Sequence, residues 1–134
     1  MGNILSSDLA DKFYKHSGFT TTIDASIASP GTWPQDIGWD GTNILTCDHG
    51  TDKIYKHSGF STTIDDSFST PGGFPAGSNW DGTNILSCDT SNKYYYLHSG
   101  FSTTISDTML TTGSSPTGVG WDGTNMLMSM GYTM

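Results

Sequence analysis

Trp80-Asp81-Gly82-Thr83-Asn84-Ile85-Leu86-Ser87-Cys88-Asp89 decides the fold, because the chain has already read Trp39-Asp40-Gly41-Thr42-Asn43-Ile44-Leu45-Thr46-Cys47-Asp48 at the same ten positions. A third copy opens at Trp121, and both intervals are 41 residues. Working outward, Asn3 to Asp8 repeats Asn43 to Asp48, and Lys12 to Phe19 is matched by Lys53 to Phe60 and by Lys93 to Phe101. His16, His57 and His98 keep the same spacing. The one length change falls in Leu9-Ala10-Asp11 against His49-Gly50-Thr51-Asp52, in a turn, where a deletion costs least.

Turn residues cut each unit into four short runs: Ile37 to Trp39, Asn43 to Cys47, Lys53 to His57, and Phe60 to about Phe68. Within the last, Phe60, Thr62 and Ile64 alternate with Ser61, Thr63 and Asp65, the period of two expected of a strand. Asp-Gly-Thr-Asn, Asp-x-x-x-(Asp/Asn)-Lys and Ser-Gly supply the turns, and a Pro-containing loop leads to the next unit. Four strands in about 40 residues, repeated, predict all-β propeller blades, each small sheet burying its faces only against its neighbours. The whole of 1–134 reads as one repeat domain, with units at 1–38, 39–79, 80–120 and a partial one at 121–134.

Composition agrees. The chain has 134 residues, 12% aromatic, with 17 glycines and few long charged side chains, which suits tight turns better than helices. A net charge of −8 with only five Lys and Arg removes the counterion-release drive toward phosphate backbones. Nucleic acid and anionic membranes are therefore not expected partners. No apolar run reaches the roughly 18 residues of a membrane span, and no signal-peptide core is expected at Met1-Gly2-Asn3. Met1-Gly2 with Ser6 matches a loose myristoylation pattern, but Gly2 belongs to the first repeat. Cys47 and Cys88 hold one repeat position, filled by Ser7 and Ser129 in the outer copies, so free packed thiols are expected rather than a disulfide.

The order Trp-Asp-Gly-Thr-Asn-(Ile)-Leu, Cys-Asp, Lys-Ile-Tyr, Ser-Gly-Phe resembles the repeats of six-bladed propellers of the NHL and gluconolactonase-like group. The resemblance covers nearly the whole chain and implies a scaffold; it carries no catalytic residue. In order, the strands make three late strands of one blade, two complete blades, and the first two strands of another. Closed rings have about four to eight blades, and an open arc leaves apolar faces and strand edges in water. The expectation is a homodimer of half-rings with twofold symmetry and six blades. The joint blade takes its inner strand, ending at Trp121, from one chain and its outer strands, Lys12 to Ile23, from the other. A trimer, or a longer chain of which this is a fragment, are the alternatives. The second strand is present twice, at Asn3 to Asp8 and at Asn125 to Met130. The later copy has drifted to Met126, Met128, Met130 and Met134 where the inner repeats have Ile, Ser, Asp and Lys. Asn3 to Asp8 is thus expected to hold the blade position.

Residues repeated in every unit serve the unit. Asp40, Asp81 and Asp122 are read as Asx-turn carboxylates; the competing reading is a cation ring in the central channel, as in a metal-dependent propeller hydrolase. His16, His57 and His98 are read as hydrogen-bonding to a Ser, Asp or Trp within their blades, and Trp39, Trp80 and Trp121 as packing between blades. Function is expected where the repeats disagree. Trp33, Phe74 and Ser115 share a loop position, each before a proline, and a propeller sets that loop beside Asp48 to Asp52 and Asp89 to Asn92. Trp33, Phe74, Asp48, Asp52 and Asp89 are the candidate ligand-binding residues, an aromatic platform edged by acids that suits a glycan or a peptide. The chain is read as a non-enzymatic binding or scaffold module needing no cofactor.

Overall fold

Runs of β-branched and aromatic residues, each closed by a glycine or an Asp turn, favour short antiparallel strands over any helix. The computed structural model describes residues 2–111 and 113–131, and the readings above that fall on Met1 and Met134 lie outside them. Among the described residues, thirteen strands form four sheets. β1 (Ile4–Asp8), β2 (Lys12–His16) and β3 (Ile23–Ala28) make the first. β4 (Pro34–Trp39), β5 (Ile44–Asp48), β6 (Lys53–His57) and β7 (Ile64–Ser69) make the second. The third repeats it with β8 (Pro75–Trp80), β9 (Ile85–Asp89), β10 (Tyr94–His98) and β11 (Ile105–Leu110), and β12 (Ser115–Trp121) with β13 (Met126–Gly131) is the fourth. Neighbours in each sheet are consecutive and antiparallel, as the repeat count implies.

The core lies between sheets. Leu45, Cys47, Ile54 and Phe68 of the second sheet close on Ile85 of the third, with Trp80 and Phe101 packed against them. Leu86, Cys88 and Tyr95 of the third close likewise on Val119 of the fourth, with Trp121 and Met126 alongside. Both cysteines are free and buried. Burial pushes the Cys88 thiol up to about 12 and the Cys47 thiol higher than its usual range, so neither is a nucleophile at neutral pH. At the hub the inner strands converge because side chains are missing: a Cβ on Gly77 would lie 3.0 Å from Gly118 Cα, and one on Gly38 3.1 Å from the Ser78 carbonyl oxygen.

Each of the three repeated histidines fastens its blade. Ser6 Oγ meets His16 Nε2 at 2.8 Å, Thr46 Oγ1 meets His57 Nε2 at 3.0 Å, and Ser87 Oγ meets His98 Nε2 at 2.8 Å. His57 Nδ1 also donates to the Ser61 carbonyl at 2.7 Å, which ties down the loop after β6. That loop corrects the strand read from Phe60 onward. Ser58 N bonds Thr63 O, Ser61 Oγ bonds Ser58 O, and Gly59 takes φ 64°, so residues 58–63 close on themselves and β7 starts at Ile64. Lys93 precedes the third strand of its blade. It takes the left-handed turn conformation (φ 65°) that Asp52 takes one repeat earlier, and β10 starts at Tyr94.

The flanks differ from the interior at equivalent positions. Ile44 and Ile85 are completely buried, whereas Ile4 of the first sheet is 40% exposed. Leu45 and Leu86 are buried, whereas Leu127 of the fourth is 52% exposed. Trp80 and Trp121 pack between sheets as expected. Trp39 does not: it belongs beside the first sheet, which has no inner strand among the described residues, and stays nearly half exposed.

Burial lowers the pKa of His57, and that of His98 to about 4, so both are neutral in the folded protein at pH 7. Both folded pKa values lie below the unfolded 6.5, so the stability these histidines contribute is full above pH 6.5 and declines as pH falls below it, for His98 through about 4. We expect the His98 imidazole, followed by NMR, to stay neutral at pH 5 and to titrate near 4. Titration near 6.5 would contradict its placement.

Candidate functional site

The rim is built on two buried carboxylates. Asp48, at the end of β5, accepts from Trp33 N at 3.1 Å and Ser29 Oγ at 3.3 Å through Oδ2, and from Thr51 N at 3.0 Å through Oδ1. Asp89 repeats this with Phe74 N at 2.9 Å, Ser91 N at 2.9 Å and Asn92 N at 3.2 Å. One side chain thus ties the turn after the second strand to the loop before the inner strand. Gly31 and Gly72 press so closely on these carboxylates that a Cβ would collide with them. Both aspartates are fully buried, so they position the rim from beneath and present no oxygen to a ligand.

Above them the side chains form a ladder. Trp33 stacks on His49 with centroids 5.2 Å apart and planes 20° from parallel, and His49 stacks on Phe74 of the next sheet at 3.8 Å and 25°. His49 Nδ1 faces Asp52 Oδ1 at 3.4 Å. Of the five residues expected at the site, the structure brings Trp33, Phe74 and Asp52 to one surface and sets Asp48 and Asp89 below it. His49, which repetition did not single out, is the rung that joins the two aromatics. Its signal was in the repeats, since Leu9 and Thr90 stand at its position in the flanking units. At the third loop position Ser115 has no ring, and Thr90 Oγ1 bonds the Pro116 carbonyl instead at 2.7 Å. The backbone under Trp33 is fixed twice, by Asp48 and by His49 N donating to its carbonyl at 2.9 Å, yet its indole is 53% exposed. A rigidly mounted, exposed indole beside a carboxylate is a surface that stacks on planar or cationic groups.

The hub holds the other break in symmetry. Asp36 of β4 stands where β8 and β12 carry Gly77 and Gly118, and accepts Ile37 N at 2.9 Å and Ser78 N at 3.1 Å. Burial pushes its carboxyl up to about 6. Asp40, Asp81 and Asp122 are engaged as Asx turns: each Oδ1 takes two backbone N–H groups, from Thr42 and Asn43, Thr83 and Asn84, and Thr124 and Asn125, at 2.7 to 2.8 Å. Among the described residues no group of three or more His, Cys, Asp or Glu is arranged to hold a metal.

No family model matches the sequence, and no curated protein matches it. Among solved structures, the chain is similar to one in the crystal structure of a mitotic checkpoint complex, with a TM-score of 0.70 and 12% sequence identity over 90% of this chain. It spans 37% of the length of that chain. The likeness carries the β-propeller type of fold and does not reach the narrower NHL and gluconolactonase-like group that the repeat motifs resemble.

Two substitutions separate support from surface. Asp89→Ala strands three part-buried N–H groups, of Phe74, Ser91 and Asn92, and is expected to cost about 2–4 kcal/mol in urea unfolding. Trp33→Ala removes a half-exposed ring and is expected to stay within about 1 kcal/mol of the parent. Equal costs would contradict this division of roles.

Proposed function

We propose that the chain is a half-propeller that closes into a six-bladed ring with a second copy and works as a non-enzymatic protein-interaction scaffold. The observation that carries this is the contrast at one repeat position, where an isoleucine is fully buried at Ile44 and Ile85 and 40% exposed at Ile4. Repeats this similar build interchangeable faces, so what covers Ile44 and Ile85 is of the kind that would cover Ile4. The fourth sheet has such a face, with Leu127 at the position of Leu45 and Leu86. Covering one Ile, Leu or Phe contributes about 1.5–3 kcal/mol, and Ile4, Phe19, Leu127 and Met109 are all uncovered. The first sheet has the three outer strands of a blade and the fourth has the inner one, so one of each completes the blade type of sheets two and three.

The ligand surface of the ring is the Trp33–His49–Phe74 ladder with Asp52, and its ligand class is an extended peptide segment bearing a basic or aromatic side chain. The net charge of −8 and the carboxylate at the edge of the ladder favour cations, which stack on an indole face. In a twofold ring the ladder occurs twice, which raises avidity for bivalent partners.

If two copies make the folded unit, the thermal midpoint rises with protein concentration, by mass action. A midpoint unchanged over a hundredfold dilution series would contradict ring closure. Screening a basic peptide library and a glycan array in parallel tests the surface. The expected result is peptide binding that Trp33→Ala abolishes without lowering the thermal midpoint. Glycan binding alone, or peptide binding indifferent to Trp33, would overturn the ligand class.

A further inference from the structure

The strand next to the innermost occurs twice in this chain, as β1 and as β13, and a four-stranded blade has room for one. β1 has the side chains that complete blades use there. Ser6 bonds its histidine as Thr46 and Ser87 bond theirs, and Asp8 stands at the position of Asp48 and Asp89. β13 has Met128 and Met130 at those two positions, and a thioether can neither bond an imidazole as a hydroxyl does nor gather the N–H groups of a loop.

The inner strand β12 is suited to a different neighbour from the one it has. Gly38 pairs with Leu45, Asn79 with Leu86 and Gly120 with Leu127, and the leucine of β1 in this register is Leu5. The loop entering β12 keeps a glycine, Gly113, at the position of Gly31 and Gly72, which close onto a carboxylate from the second strand in the complete blades. Among the described residues Asp8, by contrast, takes only Ala10 N from the turn after β1 and the Tyr14 hydroxyl of β2, and gathers no loop leading into an inner strand.

Beyond β13, where outer strands would stand, a hollow is bordered by Tyr95, Leu97, Met109 and Trp121. Met109 holds the position of Phe68, on which His98 and Phe101 pack with centroids 5.0 and 4.9 Å away. The counterparts of those two rings in the first sheet are His16 and Phe19, which border an apolar hollow on the opposite flank together with Ile4. The two flanks are therefore matched in strand complement, in register and in the side chains each lacks.

We infer that β13 is a placeholder: on association, the β1–β3 sheet of a second copy displaces it from β12. Leu5 of that copy then lies opposite Gly120, Asp8 beneath the loop at Ser114 and Ser115, and His16 and Phe19 against Met109. This rests on the self-association proposed above, and adds that ring closure is a strand exchange rather than the docking of two preformed faces. β13 is released by it.

Paired cysteines test the exchange. A Cβ built on Gly120 lies 3.6 Å from Leu127 Cβ, within disulfide range, so Gly120→Cys with Leu127→Cys locks β13 in place. Gly120→Cys with Leu5→Cys bridges two copies only if the exchange occurs. Both variants are oxidised, then run on non-reducing gels and by size exclusion beside the wild type, whose own thiols are buried. The expected result is a covalent dimer from the second pair, and from the first a monomer that regains the dimer on reduction. A wild-type dimer with no covalent species from the second pair, and a locked variant that still dimerises, would overturn the exchange and leave association standing. A monomeric wild type would overturn both.

Discussion

A propeller blade cannot bury itself. Its four strands make a sheet with two apolar faces, and each face is removed from water only when a neighbouring blade is laid on it. Everything else in this molecule depends on that constraint. Ile44 and Ile85, and with them Leu45 and Leu86, vanish from solvent because sheets lie on them, while Ile4 at the isoleucine position and Leu127 at the leucine position stay wet at the two flanks. Trp39 remains nearly half exposed for a related reason, since the sheet beside it has no inner strand among the described residues. The flanks are the energetic problem that association would solve.

Within the blades, polar groups are spent on making the repeat rigid. The histidines are pinned to hydroxyls on the neighbouring strand, the Asp-Gly-Thr-Asn carboxylates are absorbed by their own turns, and Asp48 and Asp89 bind the loops of the rim. What they provide is a firm mount, and the rim exploits it: Trp33 is fixed through its backbone while its indole faces water. Preorganised exposure of that kind lowers the ordering cost of binding.

Much of this was legible in the sequence because repetition removes ambiguity. An interval of 41 residues held across Trp39, Trp80 and Trp121 gave the strand count and the sheet order. It also separated shared residues such as His57, with a structural bond, from divergent ones such as Trp33. Less legible were features set by hydrogen bonds between side chain and backbone. The Phe60 to Thr63 stretch alternates like a strand and instead closes into a loop, because Gly59 turns left-handed and Ser58, Ser61 and His57 capture its backbone. Asp48 and Asp89 looked like rim acids, and only the fold reveals that their oxygens point inward to N–H groups. The stacking of His49 between Trp33 and Phe74 joins two blades, and its departure from Leu9 and Thr90 in the flanking units was the one trace of it in the repeats.

In the proposed assembly one chain supplies half of a ring. Light scattering on the purified 134-residue chain measures this most directly. The expected solution mass at micromolar concentration is twice the chain's 14.4 kDa. A stable, folded species of 14.4 kDa would contradict it.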